Sequence, residues 1–348
     1  MNPTLVEVLR GDAVESSHRG ALAVFDADGA ALASLGDIDR PIFARSAVKV
    51  LQALPLVESG AAEQLGLTDE ELAIACASHS GEEAHTQVVA RMLTKAGLDV
   101  EALECGTHWP YLDAAVRALA AQGREPNALN NNCSGKHAGF LCLACALHDR
   151  SGGLKLRQYA RGYIAPEHPV MREVSAALQA TTGFDLASAP RGTDGCSIPT
   201  HAVPLRHLAL AFARVATGTG LRDGHARAAK RLRRAVANAP FMVAGTGRFD
   251  TRVMQRLGER VFCKVGAEGV YCAALPQRGL GVAIKIDDGN NARAAEVVMA
   301  AVIEAFVSLD DGDAQWMNTL SHPPLNNWNG IRAGALRPAD ALTSLVSG

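Results

Sequence analysis

The stretch PIFARSAVKVLQAL, residues 41–54, marks where the chain changes from strand-like to helical patterning. Before it, residues 20–26 and 32–35 flank an Asp-Gly turn signal at Asp28 and Gly29, which predicts a β-hairpin. After it, apolar residues recur at helical spacing until about residue 238. The stretch itself is therefore expected to be a loop that enters an apolar helix.

Strand-like patterning returns near the other end of the chain. The segments concerned are residues 260–265, 270–275 and 281–286. An Ala-rich helix over residues 291–307 is expected to be the last element. Strands at both ends, with helices between them, predict that both ends share one sheet.

We therefore predict an α+β fold, with an antiparallel sheet of N- and C-terminal strands, flanking helices and a large central helical region. No repeat or low-complexity linker divides the sequence, so residues 1–348 are expected to form one domain. Its sheet portion would comprise 1–45 and 260–348 with the C-terminal helix, and 46–259 would be mainly helical.

The amino-acid composition indicates which class of protein the chain belongs to. The chain has 348 residues, 48% of them hydrophobic, and a net charge of −2, which indicates a globular protein. The basic run Lys230–Arg234 lies in an Ala-rich helical pattern and predicts a solvated helix face, so no nucleic-acid partner is expected. No secretory signal and no membrane span is expected either.

The 8 cysteines indicate reduced thiols in a cytoplasmic protein. Cys142 and Cys145 form a C-x-x-C pair, but it lies in an apolar helical pattern without a second pair, which favours core packing over a redox or zinc motif. Cys133 and Cys196 differ, because both lie in polar, Gly-containing segments.

Ser46 and Lys49 place a hydroxyl and an amine one helical turn apart. Residues at this spacing are neighbours on a helix, and a neutral lysine would accept the serine proton. The first turn of the helix also favours negative charge near the attacking oxygen. The pattern indicates a serine-lysine acyl hydrolase; the alternative is a helix-capping serine followed by a solvated lysine.

Two further polar strings lie near predicted helix ends. CASHSGEEAH, residues 76–85, ends an apolar helix with Ser78 and His79, although an ordinary capped helix junction is the alternative. NNNCSGKHAGF, residues 130–140, places three amides, a thiol and a cation before a helix, which suits an anionic group such as a carboxylate. The spacing of a phosphate-binding loop is absent, so nucleotide binding is not expected.

The last two strings are RGTDGCSIPT, residues 191–200, and KVGAEG, residues 264–269. The first is an ordinary turn signal, or else it contributes Cys196 to a zinc site with Cys133 and a third donor. The second places Lys264 at the end of a strand, before a Gly-rich turn.

Taken together, the five strings resemble the class 3, rhizobial-type L-asparaginases of the asparaginase II family. They occur in the family's order: residues 43–49, 78–82, 131–137, 193–196 and 264–269. The family is distantly similar in fold to serine β-lactamases and glutaminases, and the resemblance spans most of the chain.

The resemblance implies a role for each residue of the site. Ser46 would be the nucleophile and Lys49 its proton acceptor, while Ser78 and Lys264 would form a second Ser-Lys pair. The implied zinc ligands, one zinc ion per chain with water as fourth ligand, are Cys133, Lys136 and Cys196. Zinc ligation by lysine requires a strongly lowered lysine pKa. The implied substrate-binding residues are Arg45, His137 and Asp194.

The implied reaction is the hydrolysis of L-asparagine to L-aspartate and ammonia. The resemblance also implies that the protein is a homodimer and that its only other partner is this small amino-acid substrate. Asp194 would accept from the α-ammonium group and Arg45 would pair with the α-carboxylate. A glutaminase, or a β-lactam or peptide hydrolase, is the alternative within enzymes. A non-catalytic amino-acid or metal binder using Cys133 and Cys196 is the alternative outside them.

Overall fold

A computed structural model describes residues 1–151 and 155–346. The strands are β1 (Thr4–Arg10), β2 (Ala13–Asp26), β3 (Ala31–Leu35), β4 (Pro41–Phe43), β5 (Arg191–Thr193), β6 (Pro199–Pro204), β7 (Phe262–Val265), β8 (Val270–Leu275), β9 (Leu280–Ile286), β10 (Pro324–Asn326) and β11 (Arg332–Pro338).

The α-helices are α1 (Lys49–Glu58), α2 (Ala61–Gln64), α3 (Asp69–Ala75), α4 (Glu83–Lys95), α5 (Asp113–Ala121), α6 (Ser134–Ser151), α7 (Leu156–Ala160), α8 (Pro169–Thr182), α9 (Leu205–Thr217), α10 (Asp223–Asn238), α11 (Phe241–Ala244), α12 (Phe249–Leu257), α13 (Glu296–Phe306), α14 (Asp311–Ser321) and α15 (Asp340–Val346). Short 3₁₀ turns cover Arg45–Val48, Val100–Ala102, Ala128–Asn130 and Gly258–Arg260, and a π-helical turn covers Asn291–Ala295.

The chain divides into two compact units. Unit 1 comprises residues 1–47, 202–220 and 260–348, and unit 2 comprises residues 48–201 and 221–259. The sheet portion predicted from the sequence thus lies in unit 1. The segment 202–220, which the prediction assigned to the helical portion, belongs to unit 1 because α9 packs on the sheet.

Unit 1 contains an eight-stranded sheet in the order β10-β11-β1-β2-β9-β8-β7, with β3 also paired to β2. Every pairing in it is antiparallel. The long strand β2 pairs with β1 through its first half and with β9 through its second half. Strands from both ends of the chain therefore share one sheet, as predicted.

Helices cover this sheet within unit 1. Helix α9 packs on β2, β8 and β9, and α13 packs on β1, β8 and β11. All six residues of β8 are buried, as expected for a strand covered on both faces. At Gly281 a Cβ atom would lie 2.0 Å from the Ala209 carbonyl oxygen, so only glycine allows α9 to approach β9 this closely.

Unit 2 is mainly helical. Helix α1 packs against α6, α8 and α10, and nine of its ten residues are buried. Helix α3 packs against α4, α6 and α10, and a capping box between Thr68 and Glu71 begins it. Lys230–Arg234 lies in α10, so the helix predicted there is confirmed.

The expectation that a helix over 291–307 is the last element was wrong. Beyond α13 the chain continues through α14, β10, β11 and α15, and β11 pairs with β1. Strand β10 has three residues and neither of its ends is buried, so it is too short for a periodicity to show. Among the described residues, no helix is long and apolar enough to cross a membrane.

Candidate active site

The predicted site residues of unit 2 lie where α3 ends and α6 begins. The two helices approach closely at Gly135, where a Cβ atom would lie 2.3 Å from the Ile74 carbonyl oxygen. A larger residue would push the helices apart. The close packing holds the segment after α3, with Ser78, beside the first turn of α6, with Cys133 and Lys136.

Lys49 connects these two segments from the start of α1. Its side chain is fully buried, and Nζ lies 3.1 Å from Ser78 Oγ and 3.1 Å from Cys133 Sγ. Nζ also donates to the Ala77 carbonyl oxygen. The solvated lysine of the alternative interpretation is therefore wrong, because a buried amine with three polar neighbours is not a surface charge.

Cys133 and Cys196 come together in the same cluster. Each thiol shifts the pKa of the other, and Lys136 Nζ lies 3.0 Å from Cys196 Sγ. All three side chains are buried. The polar strings that carry the two cysteines thus meet within unit 2, whereas Cys142 and Cys145 lie in the apolar body of α6.

The charges in this cluster are coupled. The neighbouring Cys196 thiol, together with the nearby amines of Lys49 and Lys136, holds the pKa of Cys133 well below its usual range. The neighbouring Cys133 thiol, together with burial, raises the pKa of Cys196, so the two thiols differ in their affinity for a proton. Burial alone would lower the pKa of Lys136, but attraction from the two sulfurs outweighs it and raises that pKa.

The donor set of Cys133, Lys136 and Cys196 fits a zinc ion, provided that Lys136 loses its proton. Two thiols and an amine converge in a buried cluster, and thiolates are ligands that zinc prefers. No three His, Cys, Asp or Glu side chains converge in this way within 1–151 and 155–346, so a zinc site depends on Lys136 as third ligand. The lysine pKa is raised rather than lowered, so zinc would have to displace its proton.

His137 and Asp194 lie close to this cluster. The fully buried His137 ring has its pKa lowered well below the ordinary value by burial and by the charges of Lys136 and Lys49. Its Nδ1 atom lies 2.6 Å from the Tyr163 hydroxyl. The Asp194 carboxylate accepts the Gly195 amide at 2.8 Å, and its charge acts on Lys136.

A family model described as L-asparaginase II matches residues 6–338, nearly the whole chain. The chain belongs to the L-asparaginase II family. The family predicted from the five strings is thereby confirmed. No curated protein matches the chain.

Two solved structures show a weaker likeness. A protein called Mglu, in its tris and glutamate form, is 17% identical with a TM-score of 0.35 over 85% of this chain and 61% of that chain, so this chain spans less than two thirds of its length. A β-lactamase from Mycobacterium bovis is 15% identical with a TM-score of 0.38, over 83% of this chain and 95% of that chain. Neither likeness bears on the reaction.

In this asparaginase-family chain, unit 1 contains the other predicted site residues. Ser46 is half-buried in the 3₁₀ turn Arg45–Val48, immediately before α1. Arg45 has a φ of 51°, which a non-glycine residue adopts only when its surroundings require it. Such backbone strain is common next to functional groups.

Lys264 lies on β7, within unit 1, and is fully buried. Its Nζ donates to the Val265 carbonyl oxygen at 2.7 Å. At Gly266 a Cβ atom would lie 2.8 Å from the Ala44 carbonyl oxygen, so the Gly-rich turn after Lys264 packs against the backbone that leads into Ser46. This contact explains why glycine follows the lysine there.

Sequence reasoning missed how the amides of residues 130–132 are used. Asn131 donates to the carbonyl oxygens of Cys105 and Gly106, at 2.9 and 3.2 Å, and its Oδ1 accepts the Cys133 amide at 2.8 Å. His108 Nε2 accepts the Asn132 amide at 2.9 Å. These groups hold the loop before α5 against Cys133. The Asn131 amide is therefore structural, whereas the string was interpreted as an anion-binding one.

Proposed function

We propose that the chain is an L-asparagine amidohydrolase that releases L-aspartate and ammonia. The observation that carries this proposal is the buried contact of Lys49 Nζ with Ser78 Oγ, 3.1 Å apart, in a family of asparaginases. A lysine amine and a serine hydroxyl at this distance can exchange a proton directly. Exchange of that kind is what hydrolysis of an amide at neutral pH requires.

Ser46 is the proposed nucleophile and Lys49 its base. Ser46 comes three residues before Lys49 and stands at the entry to α1. When its hydroxyl attacks the side-chain amide carbon of the substrate, the proton passes to the neutral amine of Lys49 and a tetrahedral oxyanion forms. Collapse of that intermediate expels ammonia and leaves an acyl-enzyme, which water then hydrolyses.

Ser78 is the proposed proton relay. Departing ammonia needs a proton, and the Lys49 contact allows Ser78 Oγ–H to deliver one while it recovers another from Nζ. Lys264, its proposed partner, would supply a second amine for this transfer. Positive charge at the cluster of Cys133, Lys136 and Cys196 would stabilise the oxyanion, and without a metal the Lys136 ammonium group carries that charge.

A zinc ion is proposed at Cys133, Lys136 and Cys196. Bound there, it would add positive charge to the cluster and so keep a nearby lysine neutral. Cys133 Sγ is also bonded to Lys49, so the proposed ligand set and the proposed base are in direct contact. The thiolate of Cys133 is already favoured without a metal.

Substrate selection is assigned to Asp194, Arg45 and His137. The carboxylate of Asp194 suits an α-ammonium group, and the guanidinium of Arg45 suits an α-carboxylate. Anchoring both charged groups fixes the distance to the scissile carbonyl, so the longer glutamine side chain would place that carbonyl beyond Ser46.

The test is ammonia release from L-asparagine and from L-glutamine, with wild-type enzyme and with Ser46→Ala, Ser78→Ala and Lys49→Met variants. Release from asparagine that disappears in a folded Ser46→Ala variant supports the proposal. No release from either amide by the wild-type chain would contradict it and favour a non-catalytic binder. Equal rates for the two amides would favour a glutaminase.

A further inference from the structure

The Tyr163 hydroxyl has two hydrogen-bond neighbours, and together they determine where its proton lies. The Glu104 amide N–H donates to the hydroxyl oxygen at 3.0 Å, and His137 Nδ1 lies 2.6 Å from the same oxygen. An amide N–H can only donate. The hydroxyl is therefore an acceptor towards Glu104.

The hydroxyl proton must then go to His137. Tyr163 is fully buried, and no acceptor other than His137 Nδ1 is hydrogen-bonded to its hydroxyl among the described residues. If His137 Nδ1 carried a proton instead, the Tyr163 O–H would be buried without an acceptor, which costs more than making the bond. His137 Nδ1 is therefore an acceptor, and a neutral imidazole then carries its proton on Nε2.

Tyr163 is itself held in place. The Glu104 carboxylate accepts the Gly162 amide at 2.8 Å, while the Glu104 amide donates to Tyr163. These reciprocal bonds tie the turn that contains Tyr163 to the segment after residue 102. The Tyr163 ring also meets the His137 ring edge-on, with centroids 5.5 Å apart, so the orientation of the imidazole is fixed as well as its tautomer.

The Nε2 atom, on the opposite edge of the His137 ring, makes no hydrogen bond that stabilises the described part of the fold. Nε2 is buried and has no hydrogen-bond partner within the described part of the chain. A buried N–H donor without a partner is costly, and it commonly marks a position for a bound group. Here the side-chain amines of Lys136 and Lys49 both act electrostatically on the ring. Three N–H bearing groups in one buried cluster suit an anionic oxygen.

We propose that Tyr163 is a positioning residue: by donating to His137 Nδ1 it fixes the Nε2–H tautomer, which then donates to a carboxylate or oxyanion oxygen of the substrate. The proposal rests on the amidohydrolase function proposed above and assigns the proton-bearing atom of His137. Tyr163 itself does not touch the substrate. Its effect on catalysis must therefore pass through His137.

The tautomer is measured directly by nitrogen NMR of the enzyme with isotope-labelled histidine, with the His137 signals identified by their loss in His137→Gln. Wild-type enzyme should show Nε2 protonated and Nδ1 unprotonated at neutral pH, and Tyr163→Phe should show a mixture of tautomers. The matched control is Tyr159→Phe, a half-buried tyrosine on α7, which should leave the His137 signals unchanged. A wild-type His137 protonated on Nδ1 overturns the proposal, whatever the Tyr163→Phe variant shows.

A double-mutant cycle then tests the link to catalysis. Tyr163→Phe should lower kcat/KM for asparagine by roughly tenfold to a hundredfold, as expected for loss of a hydrogen bond to a charged group. Glutamine has an amide nitrogen that can replace Nε2–H but has no tautomers. In a His137→Gln background, Tyr163→Phe should therefore have little further effect.

The outcomes separate the two proposals. Additive losses in the cycle, with a single Nε2–H tautomer in Tyr163→Phe, would show that the tyrosine is only structural and overturn the inference. Lack of ammonia release from both amides by the wild-type enzyme would overturn the proposed function instead. In that case the NMR signals of His137 still decide whether Tyr163 fixes its tautomer.

Discussion

The side-chain nitrogen of Lys49 lies 3.1 Å from the sulfur of Cys133, although the two residues are 84 positions apart in the chain. The proposed general base therefore shares a hydrogen bond with a proposed zinc ligand. Any change in the charge of that sulfur, including metal binding, alters the proton affinity of the lysine. Metal content and catalytic rate are expected to vary together.

The first prediction concerns the two serines. Ser46→Ala should lower the rate of asparagine hydrolysis by roughly a thousandfold or more, because it removes the nucleophile. Ser78→Ala should slow ammonia release and, with it, formation of the acyl group, which should still form on Ser46. Mass spectrometry of enzyme quenched during turnover locates that group.

The matched control is Ser188→Ala, which changes an exposed serine in the loop before β5. Its rate should stay within about twofold of wild type, as surface substitutions usually do. An acyl group found on Ser78 rather than Ser46 would contradict the assignment of the nucleophile and exchange the roles of the two serines.

The second prediction concerns zinc. Enzyme purified without chelator should contain about one zinc ion per chain, and Cys133→Ala and Cys196→Ala should each lose it, since removal of a thiolate leaves too few ligands. Elemental analysis provides the measurement. Cys142→Ala is the control: burial raises the pKa of that thiol, and it lies in the apolar body of α6. Zinc-free wild-type enzyme would count against the site.

The third prediction concerns substrate choice. Asp194→Asn should lower kcat/KM for asparagine by about a hundredfold, because the α-ammonium group loses its charged partner. Asp185→Asn, the same change at an exposed position nearby, should have little effect. Steady-state kinetics should also show a strong preference of the wild-type enzyme for asparagine over glutamine. Comparable kcat/KM values for the two amides would mean that the charged end of the substrate is not anchored as proposed.

The fourth prediction concerns stability in acid. Burial, and then the charges of His85 and Lys49, lower the pKa of His79 well below its ordinary value, so the folded protein keeps it neutral. Between that lowered pKa and about 6.5 the unfolded chain binds more protons than the folded one, and stability falls as the pH falls. The expected loss is up to about 1.4 kcal/mol per pH unit below about 6.5.

Urea unfolding at pH 7.5 and at pH 5.5 measures this loss. His79→Gln should be less stable at both pH values but should show a smaller difference between them, while His322→Gln, at an exposed position, should retain the wild-type difference. An unchanged pH dependence in His79→Gln would show that other groups cause the acid sensitivity.

The sequence was sufficient to predict the helices and strands whose hydrophobic residues recur with a strong periodicity. The helix predicted over 291–307 corresponds to the π-helical turn and α13, which together cover residues 291–306, and the hairpin turn at Asp28 and Gly29 joins β2 to β3. In both cases local pattern and tertiary environment favour the same state. The approach of the two cysteine-bearing segments was suggested by their polar strings and implied by the family resemblance, and Lys136 Nζ of one segment lies 3.0 Å from Cys196 Sγ of the other.

Other features could not be predicted because they depend on contacts distant in the chain. Strand β11 is defined by its pairing with β1, more than three hundred residues away in sequence. The direction of the Lys136 pKa shift depends on whether two sulfurs or a metal lie beside it, which no motif specifies. Tyr163 belongs to no recognisable motif, and only its hydrogen bonds connect it to His137.

The pairing of β1 with β11 has a consequence for biosynthesis. While a ribosome makes the chain, residues 4–10 emerge more than three hundred residues before their partner residues 332–338. At about 5–20 residues per second, the first strand waits for tens of seconds with an exposed edge. Unpaired strand edges of this kind are prone to aggregate, so production of the protein is expected to benefit from chaperones that shield nascent chains.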